Sequence, residues 1–210
     1  MEIEIYADVV CPWCWIGKRR LEQALESYDK PVTVRYQRFQ LDPRPVSHPQ
    51  PLLDALADKF GGPDRARAIA TQVTEVAASV GLTMNFDRAV SANTFDAHRL
   101  IRFAARHGRA PELVEALYQA HFSEGVDVAD HAALATIAVG VGLDRDQTSA
   151  FLASTADAAE VRAELAAARE LGVSSVPTFV LAGKYAVTGA QESATLRAAL
   201  DEVIRREAGD

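Results

Sequence analysis

The chain contains two cysteines, Cys11 and Cys14, which lie three positions apart near the amino end. Such a pair can clip a metal, form a structural disulfide or exchange electrons. A structural zinc site takes about four ligands, commonly a second cysteine pair or a histidine pair at finger spacing. The chain has no second cysteine pair. No two of its five histidines lie at finger spacing; they are His48, His98, His107, His121 and His131. A disulfide across so short a loop would remove little entropy from the unfolded chain. We therefore interpret the pair as redox-active and predict no metal site.

The elements around the cysteines favour this interpretation. Residues 2–6 alternate polar and apolar side chains, which predicts a short strand. Beyond the motif, apolar residues recur at helical spacing: Leu21, Ala24, Leu25 and Tyr28. The first cysteine should then lie at a helix N-terminus, where free N–H groups and the helix dipole favour a thiolate. We expect Cys11 to be the open, attacking sulfur and Cys14, one turn later, to resolve the mixed disulfide.

The neighbours of the two cysteines leave several alternatives open. Pro12 suits the first helical position, because its missing N–H is not needed there. Trp13 carries no charge, so it should promote the Cys11 thiolate less than a histidine would. Trp13 and Trp15 form an apolar lip, or Trp15 belongs to the core. The three cations that follow either support the thiolate or form a solvated helix face; they are Lys18, Arg19 and Arg20.

Asp8 is the nearest carboxylate before the motif, three residues ahead of Cys11. It can assist proton transfer at Cys14. It can equally cap the turn that precedes the helix. The residues leave both roles open.

The remaining pattern predicts an α/β chain with a mixed sheet, covered by helices on both faces. A second strand spans residues 32–39, and a proline-rich boundary follows at 42–51. From 52 to 154 only helices are predicted, with caps at Asp130 and Asp144. A long helix over 156–171, capped by Thr155, leads to a hairpin and a terminal helix. We assign 1–44 and 155–210 to one discontinuous domain and 45–154 to a helical insertion.

Several stretches resemble a known family. Cys11-Pro12-Trp13-Cys14 after a strand, with Val176-Pro177-Thr178 before a hairpin, resembles the thioredoxin fold, and the helical insertion resembles its DsbA type. Three stretches are similar to the FrnE-like cytosolic branch of DsbA-family oxidoreductases: residues 39–43, 93–99 and 185–191. The resemblance implies a thiol–disulfide oxidoreductase.

It also implies roles for individual residues. Pro177 would be cis and lie opposite Cys11, with the Val176 backbone holding an extended substrate. One position departs from the family, because Ile5 stands six residues before the first cysteine, where such proteins tend to place a buried acid.

Glutathione-using isomerases of related fold suggest a second interpretation. These isomerases have a stretch beside the active site that is similar to the one around Asn93 and His98. The alternative interpretation of the two residues is a helix N-cap and an ordinary helix histidine. The alternative function is therefore a glutathione-dependent isomerase related to 2-hydroxychromene-2-carboxylate isomerase. That family carries serine where this chain has Cys11, which favours the oxidoreductase.

Charge and composition bound the partners. The net charge of −7 argues against a nucleic-acid partner. The acidic, alternating start is unlike an export signal, and no apolar run reaches the roughly 20 residues of a membrane span. We expect a cytoplasmic protein that binds no cofactor and acts on protein thiols, disulfides or small thiols. Glutathione is a candidate co-substrate, and a homodimer is a further expectation.

Overall fold

The computed structural model describes residues 1–26, 28–44 and 49–209, and its centre is a four-stranded mixed sheet. The strands are β1 (Glu2–Ala7), β2 (Thr33–Arg38), β3 (Thr178–Leu181) and β4 (Tyr185–Thr188), in the order β2-β1-β3-β4. β1 runs parallel to β2 and antiparallel to β3, which forms a hairpin with β4. The two strands predicted at the amino end and the hairpin are thereby confirmed.

Helices cover both faces of the sheet. Successive side chains of β1 point to opposite faces, so apolar residues of this strand pack against helices on each side. Ile3 and Ile5 are fully buried in the main core with α1 (Pro12–Leu25) and α9 (Ser193–Ala208). Tyr6 points the other way and packs with Phe39 and with Ala168 of α8 (Ala158–Glu170). The predicted α/β class is confirmed.

The segment between β2 and α8 is helical in its described part. It contains α2 (Leu52–Phe60), α3 (Pro63–Ser79), α4 (Phe95–Arg106), α5 (Ala110–Gln119), a π-helical turn (Ala120–Glu124), α6 (His131–Gly140) and α7 (Arg145–Ala153). The predicted caps are confirmed, since Asp130 accepts the Ala133 N–H and Asp144 accepts the Gln147 N–H. The described helices include none that is long and apolar enough to cross a membrane.

The start of α8 differs from its predicted position, and the predicted domain boundaries are untested. The predicted cap at Thr155 is wrong, because α8 begins at Ala158 with Asp157 as its N-cap. Asp157 has a φ of 59°, and its carboxylate pairs with Arg102 and Arg106 of α4, which holds it in this conformation. The division into domains at 44/45 and 154/155 stays a prediction; residues 45–48, with His48, lie outside the described part.

Helix α1 approaches the start of β3 closely at Gly17. A Cβ placed on Gly17 would lie 2.9 Å from Pro177 Cγ and 3.2 Å from Phe179 Cζ. It would also lie 3.5 Å from the Cα of Ala190. Such distances leave no room for a methyl group, so the absence of a side chain at 17 sets how near α1 lies to Pro177.

A partly buried ion-pair network joins α1 to α5. Glu115 accepts hydrogen bonds from Trp15 Nε1 at 3.0 Å, Lys18 Nζ at 2.5 Å and Arg19 at 2.8 Å. The Lys18 side chain is only 6% exposed and also pairs with Glu22. Arg20 is paired in the same way with Glu192. The three cations are therefore held in ion pairs rather than arranged as a solvated face, so that alternative is wrong, and their support of the Cys11 thiolate stays a prediction.

The same network sets the ionisation of Glu115. Burial raises its pKa, but the hydrogen bond and charge of Lys18, the Trp15 N–H and the charge of Arg19 outweigh burial and hold the pKa below its ordinary value. A carboxylate with a lowered folded-state pKa stabilises the fold above its unfolded pKa, and that contribution is lost as the pH falls through the folded one.

We expect Gly17→Ala to destabilise the protein by about 1 to 3 kcal/mol, because the methyl group overpacks the contact with Pro177. The measurement is the free energy of unfolding by denaturant. Gly140→Ala is the matched control, since Gly140 is also helical and its Cβ would meet open space. The control should gain a few tenths to about 1 kcal/mol. Equal behaviour of the two variants would contradict the close approach of α1 to Pro177.

We expect Glu115→Gln to flatten the loss of stability on acidification. Above about pH 4.5, the ordinary glutamate value, wild type holds a stabilising carboxylate that the variant lacks. The two unfolding free energies should therefore converge as the pH falls further. Glu112→Gln is the control, because Glu112 forms only a half-exposed pair with Arg109 at 3.4 Å. A constant gap between Glu115→Gln and wild type at every pH would count against the ionic origin.

Candidate active site

Cys11 caps the amino end of α1. It has extended backbone angles (φ −98°, ψ 110°), Pro12 follows in the first turn, and the first turn holds no acidic residue. The Cys14 N–H donates to the Cys11 carbonyl at 3.0 Å, which places the two residues one turn apart. Both are free thiols. The predicted placement at a strand-to-helix junction is confirmed.

The exposure of the sulfurs differs from the expectation. Cys11 is 5% exposed and Cys14 is 1% exposed. Cys11 is thus the more accessible residue, but it is not open to solvent. Its Sγ lies 3.7 Å from the Val176 carbonyl oxygen, which covers one side of the sulfur.

The loop before β3 faces Cys11. The Val176–Pro177 peptide bond is cis, as the family resemblance implied. The loop is held by two bonds: Gly189 N–H donates to the Pro177 carbonyl at 2.8 Å, and the Thr178 hydroxyl donates to the Ser175 carbonyl at 2.8 Å. The backbone that meets Cys11 is therefore fixed by the hairpin.

The resolving sulfur is disfavoured as an anion. Burial raises the pKa of the Cys14 thiol well above its ordinary value, and the hydrogen bond and charge of Cys11 raise it further. A hydrogen bond from the Asp8 backbone opposes this shift, whereas the Asp8 charge adds to it. Cys14 is therefore a protonated thiol at neutral pH.

The two tryptophans have different environments. Trp13 is 36% exposed. Trp15 is buried, stacks with Tyr118 and Phe122 at centroid distances of 6.0 and 6.2 Å, and donates to Glu115. Of the two alternatives for Trp15, the core position is the correct one.

Asp8 and His98 come together in the interior. Asp8 Oδ1 is 3.1 Å from His98 Nε2, and Asp8 Oδ2 accepts the Leu41 N–H at 2.8 Å. The Asp8 carboxylate does not cap α1; instead its backbone carbonyl accepts the Cys11 N–H at 3.0 Å. The capping alternative for this side chain is therefore wrong. Ile5, at the position where the family tends to place an acid, is 1% exposed and belongs to the core.

Asn93 has a local structural role. Its Oδ1 accepts the Phe95 N–H at 3.0 Å at the start of α4 and the side-chain amide of Gln40 at 3.1 Å. Its Nδ2 donates to the Arg44 carbonyl. Both acceptor and donor groups are engaged in joining α4 to the loop after β2, while the N-cap residue of the helix is Thr94.

Sequence reasoning missed three residues that shape the site. Gly17 sets the distance of α1 from Pro177, and Tyr118 and His121 lie in the interior near Asp8. No local sequence pattern predicts these positions, because their effect on the site depends on contacts with residues distant in sequence. Among the described residues, no group of three or more His, Cys, Asp or Glu side chains is placed to hold a metal.

Comparison with solved structures supports this arrangement. The probable DsbA oxidoreductase of Streptomyces coelicolor is 38% identical, with 96% of this chain and 89% of that chain covered and a TM-score of 0.91. Two further structures share the fold at 20% identity. They are a 2-hydroxychromene-2-carboxylate isomerase (TM-score 0.73, 100% and 98% covered) and the cytosolic disulfide reductase DsbM of Pseudomonas aeruginosa with GSH (0.67, 98% and 100% covered).

The comparison with protein families agrees with the structures. The description "DSBA-like thioredoxin domain" matches residues 2–201, which is nearly the whole chain. The match includes both cysteines, the inserted helices and the Val176–Pro177 loop. The chain therefore belongs to the family of DSBA-like thioredoxin domain proteins.

Proposed function

We propose that the protein is a thiol–disulfide oxidoreductase in which Cys11 attacks and Cys14 resolves. The observation that carries this proposal is the asymmetry of the pair. Cys11 lies at the N-cap of α1, where the helix dipole favours an anion. Cys14 lies one turn inside, buried and protonated. Two-step exchange needs one thiolate that attacks the substrate and a second thiol that stays protonated until it resolves the mixed disulfide.

The proposed exchange has two steps. The Cys11 thiolate attacks one sulfur of a substrate disulfide, forms a mixed disulfide and releases the other half as a thiolate. Cys14 then loses its proton and attacks Cys11, which frees the bound half as a second thiolate. The substrate gains two electrons and the protein is left with a Cys11–Cys14 disulfide. The reverse sequence oxidises a substrate dithiol.

The substrate seat is proposed to lie around the Cys11 sulfur. The Val176 carbonyl lies 3.7 Å from that sulfur, just before β3, so an extended segment could pair with the backbone there. Pro12 and the partly exposed Trp13 would contact the substrate from the α1 side. Pro177, in van der Waals range of Gly17, would keep this seat at a fixed distance from the helix.

Glutathione is proposed as the small thiol that returns the pair to the reduced state. The support is the DsbM structure, which shares the fold and is described with GSH. That relative is cytosolic, which supports a cytoplasmic location for this chain as well. Protein thiols and disulfides are the proposed substrates, and a homodimer stays a prediction.

The isomerase alternative rests on the shared fold with 2-hydroxychromene-2-carboxylate isomerase. A fold alone does not fix an activity. The intact dithiol favours the oxidoreductase, because an isomerase would have no use for a buried resolving thiol. The two functions separate in a Cys14→Ser protein, which keeps the Cys11 site but cannot close a disulfide.

We expect Cys11→Ser to abolish reduction of a disulfide-bonded peptide, because the attacking sulfur is removed. Cys14→Ser should also lose turnover, but should accumulate a mixed disulfide at Cys11, since nothing resolves it. Mass spectrometry of the intact protein detects that adduct, and release of peptide thiol measures turnover.

Each cysteine variant is the control for the other. An adduct on Cys11→Ser, or undiminished turnover by that variant, would contradict the assigned roles. Glutathione-dependent conversion of an aromatic substrate by Cys14→Ser, at the wild-type rate, would favour the isomerase instead.

A further inference from the structure

A buried carboxylate–imidazole couple, formed by Asp8 and His98, lies beside the two sulfurs. The Asp8 side chain is 0% exposed and the His98 side chain 2% exposed, and their closest atoms are 3.1 Å apart. The other Asp8 oxygen accepts only the Leu41 N–H at 2.8 Å. Within the described residues, His98 is the one ionisable group at ion-pair distance from Asp8. A buried carboxylate without a counter-charge is costly, so a proton taken up by the adjacent imidazole is stabilised by the carboxylate.

The couple is connected to the dithiol through the Asp8 backbone. The Asp8 carbonyl accepts the Cys11 N–H at 3.0 Å. The Asp8 backbone also hydrogen-bonds the Cys14 sulfur, and the Asp8 charge acts on that sulfur. Asp8 therefore links the two groups, because its carboxylate contacts the His98 imidazole and its charge acts on the Cys14 sulfur.

Resolution of a mixed disulfide poses an electrostatic problem in this environment. Cys14 must become a thiolate, and a thiolate beside an ionised Asp8 would bury two negative charges together. Moving the thiol proton onto the couple offsets this repulsion, because the net charge of the buried cluster then stays at one negative charge. The imidazolium compensates the added thiolate, which lowers the cost of burying it.

We propose that Asp8 and His98 together accept the proton of Cys14 when it resolves the mixed disulfide. This inference rests on the proposed function. The Cys14 S–H bond breaks, its proton passes to the couple, and His98 ends as an imidazolium beside the Asp8 carboxylate. A lone pair of the Cys14 thiolate forms the bond to the Cys11 sulfur, the bond between Cys11 and the substrate sulfur breaks, and the substrate sulfur leaves as a thiolate with the electron pair of that bond. In the reverse direction the couple returns the proton to Cys14.

The other ionisable groups near Asp8 and His98 are not suited to accept the Cys14 proton. Burial raises the pKa of Tyr118 well above its ordinary value, and burial lowers the pKa of His121 to about 4, so both are neutral at neutral pH. On the β2 side, burial raises the pKa of Tyr36 above its ordinary value, and Arg38 is paired with Glu164 at 3.2 Å. Among the described side chains, none of these groups is at hydrogen-bond distance from the Asp8 carboxylate, whereas His98 is.

The surroundings also provide a place for the proton to leave. A cavity of about 10 Å³ is bordered by His98, Tyr118 and the end of β1 at Ala7. This is about the space that one water molecule needs. His98 therefore faces the carboxylate on one side and a water-sized space on the other, which suits a group that passes a proton on.

The test separates the two exchange steps with an aromatic disulfide whose released thiolate is coloured. Attack by Cys11 releases a first equivalent in a phase that depends on reagent concentration. Closure by Cys14 releases a second equivalent in a phase that does not. The Cys14→Ser protein should show the first phase alone, which assigns the two.

We expect His98→Asn to slow the second phase by about a hundredfold at neutral pH and to leave the first phase unchanged. Asparagine can still donate to Asp8 but cannot take up a proton. In the variant the second phase should rise about tenfold per pH unit, because solvent then removes the proton. The wild-type second phase should depend on pH less steeply, because the couple accepts the proton. His131→Asn is the control, since the His131 side chain is 46% exposed and pairs at 2.7 Å with Asp96 rather than with Asp8.

The outcomes separate the inference from the function on which it rests. A second phase in His98→Asn that matches wild type, or that is slowed equally at every pH, would overturn the proton-accepting role. A wild-type second phase that itself rises about tenfold per pH unit would overturn it too, whether or not the variant folds. Wild-type protein that releases no coloured thiolate, or a single equivalent, would instead overturn the proposed oxidoreductase.

Discussion

The contact between the start of α1 and the loop before β3 is the constraint on which the rest of the site depends. Gly17 lets the helix lie against Pro177, and the same approach brings the Val176 carbonyl to 3.7 Å from the Cys11 sulfur. Both partners are anchored from the sheet, since β1 leads into the cysteines and β3 pairs with β1. The reactive sulfur thus lies between two elements whose distance is set by packing rather than by a flexible loop.

The inserted helices are tied to this contact by charge. The Glu115 carboxylate of α5 accepts hydrogen bonds from Trp15, Lys18 and Arg19, all from the first two turns of α1. On the opposite side, His98 of α4 reaches Asp8, the residue that joins β1 to the motif. The helical segment therefore does more than cover the sheet, because it supplies the polar partners of the residues on either side of the cysteines.

Much of this arrangement could be predicted from local patterns. Alternation marked β1, and the caps Asp130 and Asp144 marked helix starts, because these signals act within a few residues. Long-range pairing could not be read this way. Lys18 pairs with Glu115, 97 positions away, and Asp8 pairs with His98, 90 positions away, so the expectations of a solvated face and of a capping carboxylate failed. The near burial of Cys11 was missed for the same reason, since it depends on a carbonyl 165 residues distant.

The unequal burial of the two tryptophans has an optical consequence. They are the chain's whole complement of indoles and lie two residues apart. Trp13 is partly exposed beside Cys11, so its emission should respond when a ligand arrives at the sulfur. Trp15 is enclosed by Tyr118 and Phe122, so its emission should respond to loss of the core. The protein thus carries two intrinsic fluorophores on one helical turn, one reporting occupancy and the other reporting integrity.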